Sequence, residues 1–344
     1  ENGYMRLLIT EKPSFAKAIG PLVRERWPVE DIIMMSSIPY WLNRYAYPRG
    51  LPYNDYPLLG NQKYARTENR LEDGSFAQAV SLSSDGTPTA MRVCFDQACE
   101  WMRNAEHLVF AGDWDHTGVW GMERMLELLA PERDATDYDV AVFNGGLDEA
   151  SIRRVLSDLR RPSDERFVAM SNAAQVKRYF DYNFNVNSLP ILGNLYRSIA
   201  GTNDPVLISK YMVQLLLFVV KHGDEGTLNG DWLANWKGTG KYKPEDNEWF
   251  MSGIGSPASR LQMMKQLEEL ELIQACATKS VYGMAYRCTP MGLVFAGRLH
   301  KDCSDPDLPF RLQEWMGQPF DEIRPVIDKY LLTFFRRQKR HQAV

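Results

Sequence analysis

The sequence predicts an α/β domain built on a parallel sheet, followed by a mostly helical domain. Two observations carry that expectation. In the first half, short apolar strand-like runs alternate with amphipathic helical stretches, the pattern of a parallel α/β sheet. Beyond residue 160 the strand alternation fades, and helical periodicity takes over. The expected boundaries are an α/β domain over residues 5–160, a helical domain over 165–335, and a basic tail over 336–344.

The elements follow in order. "MRLLIT" (Met5 to Thr10) reads as a buried strand. "EKPSFAKAIGPLV" follows it, with Pro13 suited to a first helical turn and Phe15, Ala16, Ile19 and Leu22 forming an apolar stripe. Glu11 and Lys12 therefore stand where a strand hands over to a helix. Residues 38–59, rich in Pro, Tyr and Gly, read as irregular loop. "FDQACEWMRNA" reads as a helix, and "HLVFAGD" (His107 to Asp113) as a second buried strand. "GVWGMERMLELLA" places Met122, Met125, Leu126 and Leu129 on one helical face. "YDVAVFNG" (Tyr138 to Gly145) is a third strand, and "LDEASIRRVLSDLR" is an amphipathic helix with acids at its start. "RRPSDE" (Arg160 to Glu165) is a connector. Later, Ser256 and Pro257 open a helix carrying Leu261, Met264, Leu267 and Leu270. Two short β-like runs, 274–278 and 282–288, come next, and a helix from "TPMGLVFAGRL" after them. A helix followed by a hairpin is the winged-helix pattern. The tail "FFRRQKRH" reads as a frayed, solvated basic end.

Composition narrows the function classes. The chain has 344 residues, 44% hydrophobic and 24% charged, so a sizeable core is available and no disordered class is implied. The longest apolar run, "MVQLLLFVV" (Met212 to Val220), is too short to span a bilayer and reads as a buried helix. No basic-then-apolar secretory pattern opens the chain. Five cysteines without a CxxC pair argue against a zinc ribbon and a disulfide framework, and point to a reducing, cytoplasmic setting. A net charge of −4 excludes a wholly basic body but leaves room for a basic groove.

The chemistry concentrates in "VFAGDWDHTG" (Val109 to Gly118), where a strand ends in two aspartates one residue apart. Turn chemistry alone would account for them, with Asp113 capping the following helix. If this strand lies beside the first, however, Glu11, Asp113 and Asp115 meet at one sheet edge. Three carboxylates repel one another without a cation, and hard oxygen donors suit Mg²⁺. Mg²⁺ beside Lys12 would make a place for a phosphodiester.

"LLITEKPSFAKAI" together with "VFAGDWDHTG" resembles the Toprim domain of type IA DNA topoisomerases, the topoisomerase III branch in particular, which carries E-K-P-S and then D-x-D-x-E-G-E. "GLPYNDYP" resembles the family's L-P element, "NLYRSIAGTNDPVLISKYMVQLL" loosely its next helical segment. "GIGSPASRLQMMKQLEELELI" and "CTPMGLVFAGRL" resemble its winged-helix segment and T-P-x-G sequel. The resemblance implies a Toprim fold with a Rossmann-like parallel sheet, Glu11 as acid/base beside a scissile phosphate, and Asp113 and Asp115, with Glu11, as Mg²⁺ ligands. It implies phosphate contact by Lys12, DNA contact by Arg260 and Lys265, and DNA, single-stranded above all, as partner.

The departures from the pattern define the alternatives. Thr117 and Val119 stand where the family has glutamates, and His116 where it has arginine. Glu123, one turn beyond Val119, is either a substitute acid or a surface residue. The family's nucleophilic tyrosine sits on a gate domain for which this chain has no room. Tyr47, in "AYPRG", reads as a loop tyrosine before it reads as a nucleophile. Three functions stay open: a minimal, gate-less relative of the topoisomerases that needs a partner protein to supply the gate; a Toprim nuclease whose acids activate water; and a non-catalytic DNA-binding accessory protein with a vestigial acid site. Trp232, Trp236 and Trp249, interleaved with Lys237, Lys241 and Lys243, form either a base-stacking surface or a local apolar cluster.

Overall fold

The structure is a computed structural model, and it describes residues 5–36, 45–65, 71–83, 87–144, 146–222, 233, 235–242, 254–276 and 285–343. The chain divides into two compact units. The first comprises residues 1–46 and 63–175, the second residues 47–62 and 176–344.

The first unit is built on a six-stranded sheet. Its strands are β1 (Met5–Thr10), β2 (Asp31–Ser36), β3 (Ala77–Leu82), β4 (Pro88–Val93), β5 (His107–Phe110) and β6 (Asp139–Val140), in the order β4-β3-β2-β1-β5-β6. β1 runs parallel to β2 and β5, and β5 parallel to β6. β3 runs antiparallel to both its neighbours. The sheet is thus mixed, which corrects the expectation of a purely parallel one. β2, β3 and β4 lie outside the sequence reading, and the third expected strand shrinks to Asp139 and Val140.

The helices of this unit are α1 (Pro13–Arg26), α2 (Phe95–Asn104), α3 (His116–Leu129) and α4 (Glu149–Ser157). Pro13 opens α1 at its first turn, where a missing N–H costs nothing. Leu8 of β1 and Val109 of β5 pack against Ala16, Ile19 and Val23 of α1 and Ile152 and Leu156 of α4. Leu7, Ile9, Leu108 and Phe110 alternate with them toward the opposite face and are also buried. Burial on both faces explains why β1 and β5 are continuous apolar runs.

The long helix α5 (Glu165–Ala200) contributes its first residues to the first unit and the remainder to the second. The second unit continues with α6 (Lys210–His222), α7 (Pro257–Glu269), the antiparallel pair β7 (Ile273–Cys276) and β8 (Ala285–Cys288), α8 (Pro290–Gly297), α9 (Leu308–Met316) and α10 (Phe320–Gln342). Ser256 caps α7 and Thr289 caps α8. The chain between β7 and β8, residues 277–284, lies outside the described residues. Aromatic rings fill the core; Phe184 meets Phe334 and Phe335 at 5.4 and 5.0 Å between centroids. The basic tail is not frayed: it is the end of α10, helical to Gln342, with Phe334, Phe335 and Gln338 buried.

The Pro/Tyr-rich segment 47–62 is laid along α5 by two buried asparagines. Asn187 accepts from Leu58 N at 2.6 Å and donates to Leu58 O at 2.7 Å. Asn183, one turn earlier, does the same at Gly60, at 2.8 and 2.9 Å. Each carboxamide substitutes for a neighbouring strand, and an i, i+4 spacing on the helix matches an i, i+2 spacing on the extended chain. Lys339 of α10 donates to the carbonyls of Tyr53, Asn54 and Tyr56.

Candidate functional site

β1 and β5 are adjacent and in parallel register, Leu8 opposite Val109 and Ile9 opposite Phe110. Their carboxyl ends therefore sit side by side, and Ala111 N continues the ladder to Ile9 O. Glu11 follows β1 directly. Asp113 and Asp115 follow β5 before α3 begins.

Asp115 is the N-cap of α3: its carboxylate accepts from Gly118 N at 2.7 Å. The capping role thus falls on Asp115 rather than Asp113. The positive end of the helix dipole offsets part of the crowding of acids here. Asp113 and Asp115 are exposed, and Glu11 is half-buried. Burial first, then the charges of Asp113 and Asp115 and a hydrogen bond with Asp113, push the Glu11 carboxyl up to about 8; Lys12 pulls the other way. Glu11 Oε1 is buried without a hydrogen-bond partner.

Gly118 makes this approach possible. A Cβ there would lie 2.3 Å from Asp113 O and 3.0 Å from Glu11 Oε1. The glycine is needed for room, not for backbone freedom.

The donor set is all carboxylate oxygen, and one of those oxygens is orphaned. Both features suit a hard divalent cation. Among the described residues, no group of three or more His, Cys, Asp or Glu side chains forms a ready-made metal cage. One oxygen of Asp115 is committed to its cap. Mg²⁺ usually binds through one or two carboxylates, completed by water and phosphate oxygens. The residues therefore fit a half-built Mg²⁺ site rather than a closed one.

Lys12 is exposed, next to Glu11, at the N-cap of α1. Arg260 and Lys265 belong to the second unit, on α7. Arg260 Nε donates to Ile254 O at 3.3 Å. Lys265 is exposed and pairs with Glu269 at 3.6 Å, an ordinary solvated helix pair.

Glu123 is neither a fourth acid of the cluster nor a surface residue. It accepts from Ser171 Oγ and lines a cavity of about 430 Å³ with Tyr138 and Phe167, whose walls include none of the three clustered acids. Tyr47 is packed: Asn185 donates to its hydroxyl at 2.9 Å, and its ring stacks on Tyr182 at 5.8 Å. Burial pushes its hydroxyl up, with the Asn185 hydrogen bond opposing. A phenol held protonated is a poor nucleophile. Trp232, Trp249 and Lys243 lie outside the described residues.

Sequence reasoning missed Asn183, Asn187 and Gln214. Gln214 was legible as the one polar residue inside an apolar helical run.

Comparison with protein-family profiles and with curated proteins gives no match. Among solved structures, the chain is similar to full-length topoisomerase I from Thermotoga maritima, at 12% identity and a TM-score of 0.38. The similarity covers 79% of this chain and 40% of that one, so this chain spans well under half of that protein's length.

Proposed function

We propose that this chain handles DNA through a Toprim-like acid site, as a gate-less relative of type IA topoisomerases. The observation that carries the reading is the orphaned Glu11 Oε1 beside Asp113 and Asp115, at the shared carboxyl edge of two parallel strands. Ligands of open α/β sheets bind at that edge. The order of E-K-P-S, D-x-D and G-S-P-A-S-R along the chain supports it.

In this reading Asp113 and Asp115 hold Mg²⁺ with Glu11 beside it. The ion supplies charge neutralisation at a phosphate. Glu11, whose carboxyl burial and the two aspartates push up to about 8 when no cation is present, would be drawn down by the ion and could exchange a proton with a leaving oxygen. Lys12 meets a phosphate oxygen. The α7–β7–β8 arrangement supports a winged-helix reading, with Arg260 and Lys265 offered to a single strand. Among the described residues no nucleophilic tyrosine is assigned, and strand passage would need one from elsewhere, a partner protein being one source.

A second reading is favoured by the cap role of Asp115, which commits one of its oxygens to α3: a DNA-binding protein with a vestigial acid site. Supercoiled plasmid with Mg²⁺ or Mn²⁺, run on denaturing and non-denaturing gels beside Asp113→Asn/Asp115→Asn, separates the cases. Nicked or linear products lost in the double variant indicate a nuclease. Relaxed closed circles indicate a topoisomerase with a nucleophile in this chain. Unchanged plasmid that is nevertheless bound supports the vestigial site, or the gate-less relative awaiting its partner.

A further inference from the structure

The first unit holds a cavity of about 430 Å³ between α3, the turn that follows it and the first turns of α5. Its walls all come from residues 123–171. One side is apolar and is formed by Leu126, Pro162, Phe167 and Val168. The polar side carries Glu123, Tyr138 and Ser171.

Tyr138 is the telling residue. It is 2% exposed, yet its hydroxyl has no hydrogen-bond partner among the described residues. The hydroxyl is not sealed in protein either, so its opening is the cavity that Tyr138 lines. Glu123 repeats the pattern. Ser171 Oγ donates to Oε1 alone, and Oε2 is left open on the same cavity. The two open groups lie close enough for the charge of Glu123, second to burial, to push the Tyr138 hydroxyl up. A polar atom of a buried residue left without a partner at a cavity wall is a place for a ligand atom.

The wall around Tyr138 is tied down. Arg133 Nη1 donates to Met102 O at 3.1 Å and to Ala105 O at 2.8 Å, and Nη2 pairs with Asp137 at 3.1 Å. These contacts also occupy the guanidinium, so Arg133 brings no free cation to the cavity it lines. Across from it, Phe167 is held by Phe110 at 6.2 Å and by Trp114 and Tyr138 at 6.0 Å, centroid to centroid.

Charge decides the class of ligand. Glu127, at the exposed rim, is paired with Arg124. No cation faces Glu123 among the described residues, and burial with the charge of Glu127 holds its carboxyl up to about 7. A cation placed beside it would favour the ionised form. Both open atoms can accept a hydrogen bond, and an ammonium offers three donors and no acceptor. The Phe167 ring suits the same charge, and the apolar side leaves room for a hydrocarbon body.

We propose that this cavity binds a small primary amine with an apolar, ring-sized body, the ammonium donating to Glu123 Oε2 and the Tyr138 hydroxyl and the body lying against Leu126, Phe167 and Val168. The assignment stands apart from the acid site at the sheet edge, whose three carboxylates line no part of this cavity.

Isothermal titration of the whole chain at neutral pH with phenethylamine, 2-phenylethanol, 3-phenylpropionate and spermidine tests it. Phenethylamine is expected to bind at least tenfold more tightly than 2-phenylethanol, which carries the same body without the charge. The anion 3-phenylpropionate is expected not to bind. Glu123→Gln keeps an acceptor for Ser171, and Tyr138→Phe removes an atom with no protein partner, so neither variant is expected to melt below wild type. Glu123→Gln is expected to lose at least tenfold in phenethylamine affinity and Tyr138→Phe at least threefold. Asp113→Asn/Asp115→Asn is expected to bind phenethylamine as wild type does; loss of binding there would place the amine at the sheet edge and overturn the proposal. Equal binding of phenethylamine and 2-phenylethanol, tighter binding of spermidine than of phenethylamine, undiminished binding to Glu123→Gln, or no binding of phenethylamine at millimolar concentration would also overturn it.

Discussion

Glu123 offers a quantitative test of how the first unit is packed. Its carboxyl is enclosed between α3 and the first turns of α5, and burial pushes it up to about 7 from an ordinary value of 4.5. The Ser171 hydroxyl opposes that rise, and the charge of Glu127 adds to it. A raised carboxyl binds its proton more tightly in the folded chain than in the unfolded one. Its contribution is therefore intact below pH 4.5, is lost as pH rises toward 7, and is flat above about 8. At about 1.4 kcal/mol per pH unit, the loss is about 3 kcal/mol if the enclosure is complete. The residue as a whole is only half-buried. Solvent in the adjoining cavity trims the figure, and the expected range is about 1.5–3 kcal/mol. Glu123→Gln keeps the shape and can still accept from Ser171, but it cannot ionise. Urea unfolding at pH 4.5, 6 and 8 should show the variant gaining that amount over wild type across the range. Parallel curves for the two proteins would refute the reasoning, because the carboxyl would then be as well solvated folded as unfolded.

Three further outcomes follow from named contacts. Asn187→Ala leaves the N–H and carbonyl of the part-buried Leu58 unpaired, and should cost about 2 kcal/mol in urea unfolding. It should also speed proteolysis within residues 47–62. Gly118→Ala gains about 1 kcal/mol of helix propensity but drives a Cβ against Asp113 O, and should lose a net of about 1–2 kcal/mol together with any Mg²⁺ response. Glu11→Gln relieves repulsion among the three acids and should raise the melting temperature without metal, while weakening Mg²⁺ binding.

How much was legible varied with burial. β1, α1, β5 and α3 could be read because strands buried on both faces are unbroken apolar runs, and because Pro13 marks a helix start. β4 was not, since it lies at the sheet edge with Thr89, Ala90 and Arg92 exposed, and so shows no clean alternation. Without β3 and β4 the sheet looks purely parallel. The acid cluster was legible as residue types at strand ends, but its geometry depended on β1 and β5 being neighbours. That is a long-range pairing the local pattern does not encode. The asparagines of α5 were invisible for a different reason: a polar residue in a helix reads as solvent-facing until the segment it binds is known.

Glu11, Asp113 and Asp115 are proposed to form a divalent-cation site. Titration of the whole chain with Mn²⁺, followed by electron paramagnetic resonance of the free ion, tests it most directly. The expected result is one site filled at sub-millimolar to millimolar Mn²⁺, displaced by Mg²⁺, and lost in Asp113→Asn/Asp115→Asn while the fold is retained. A site of the same affinity in wild type and double variant, or none at all in wild type, would contradict it.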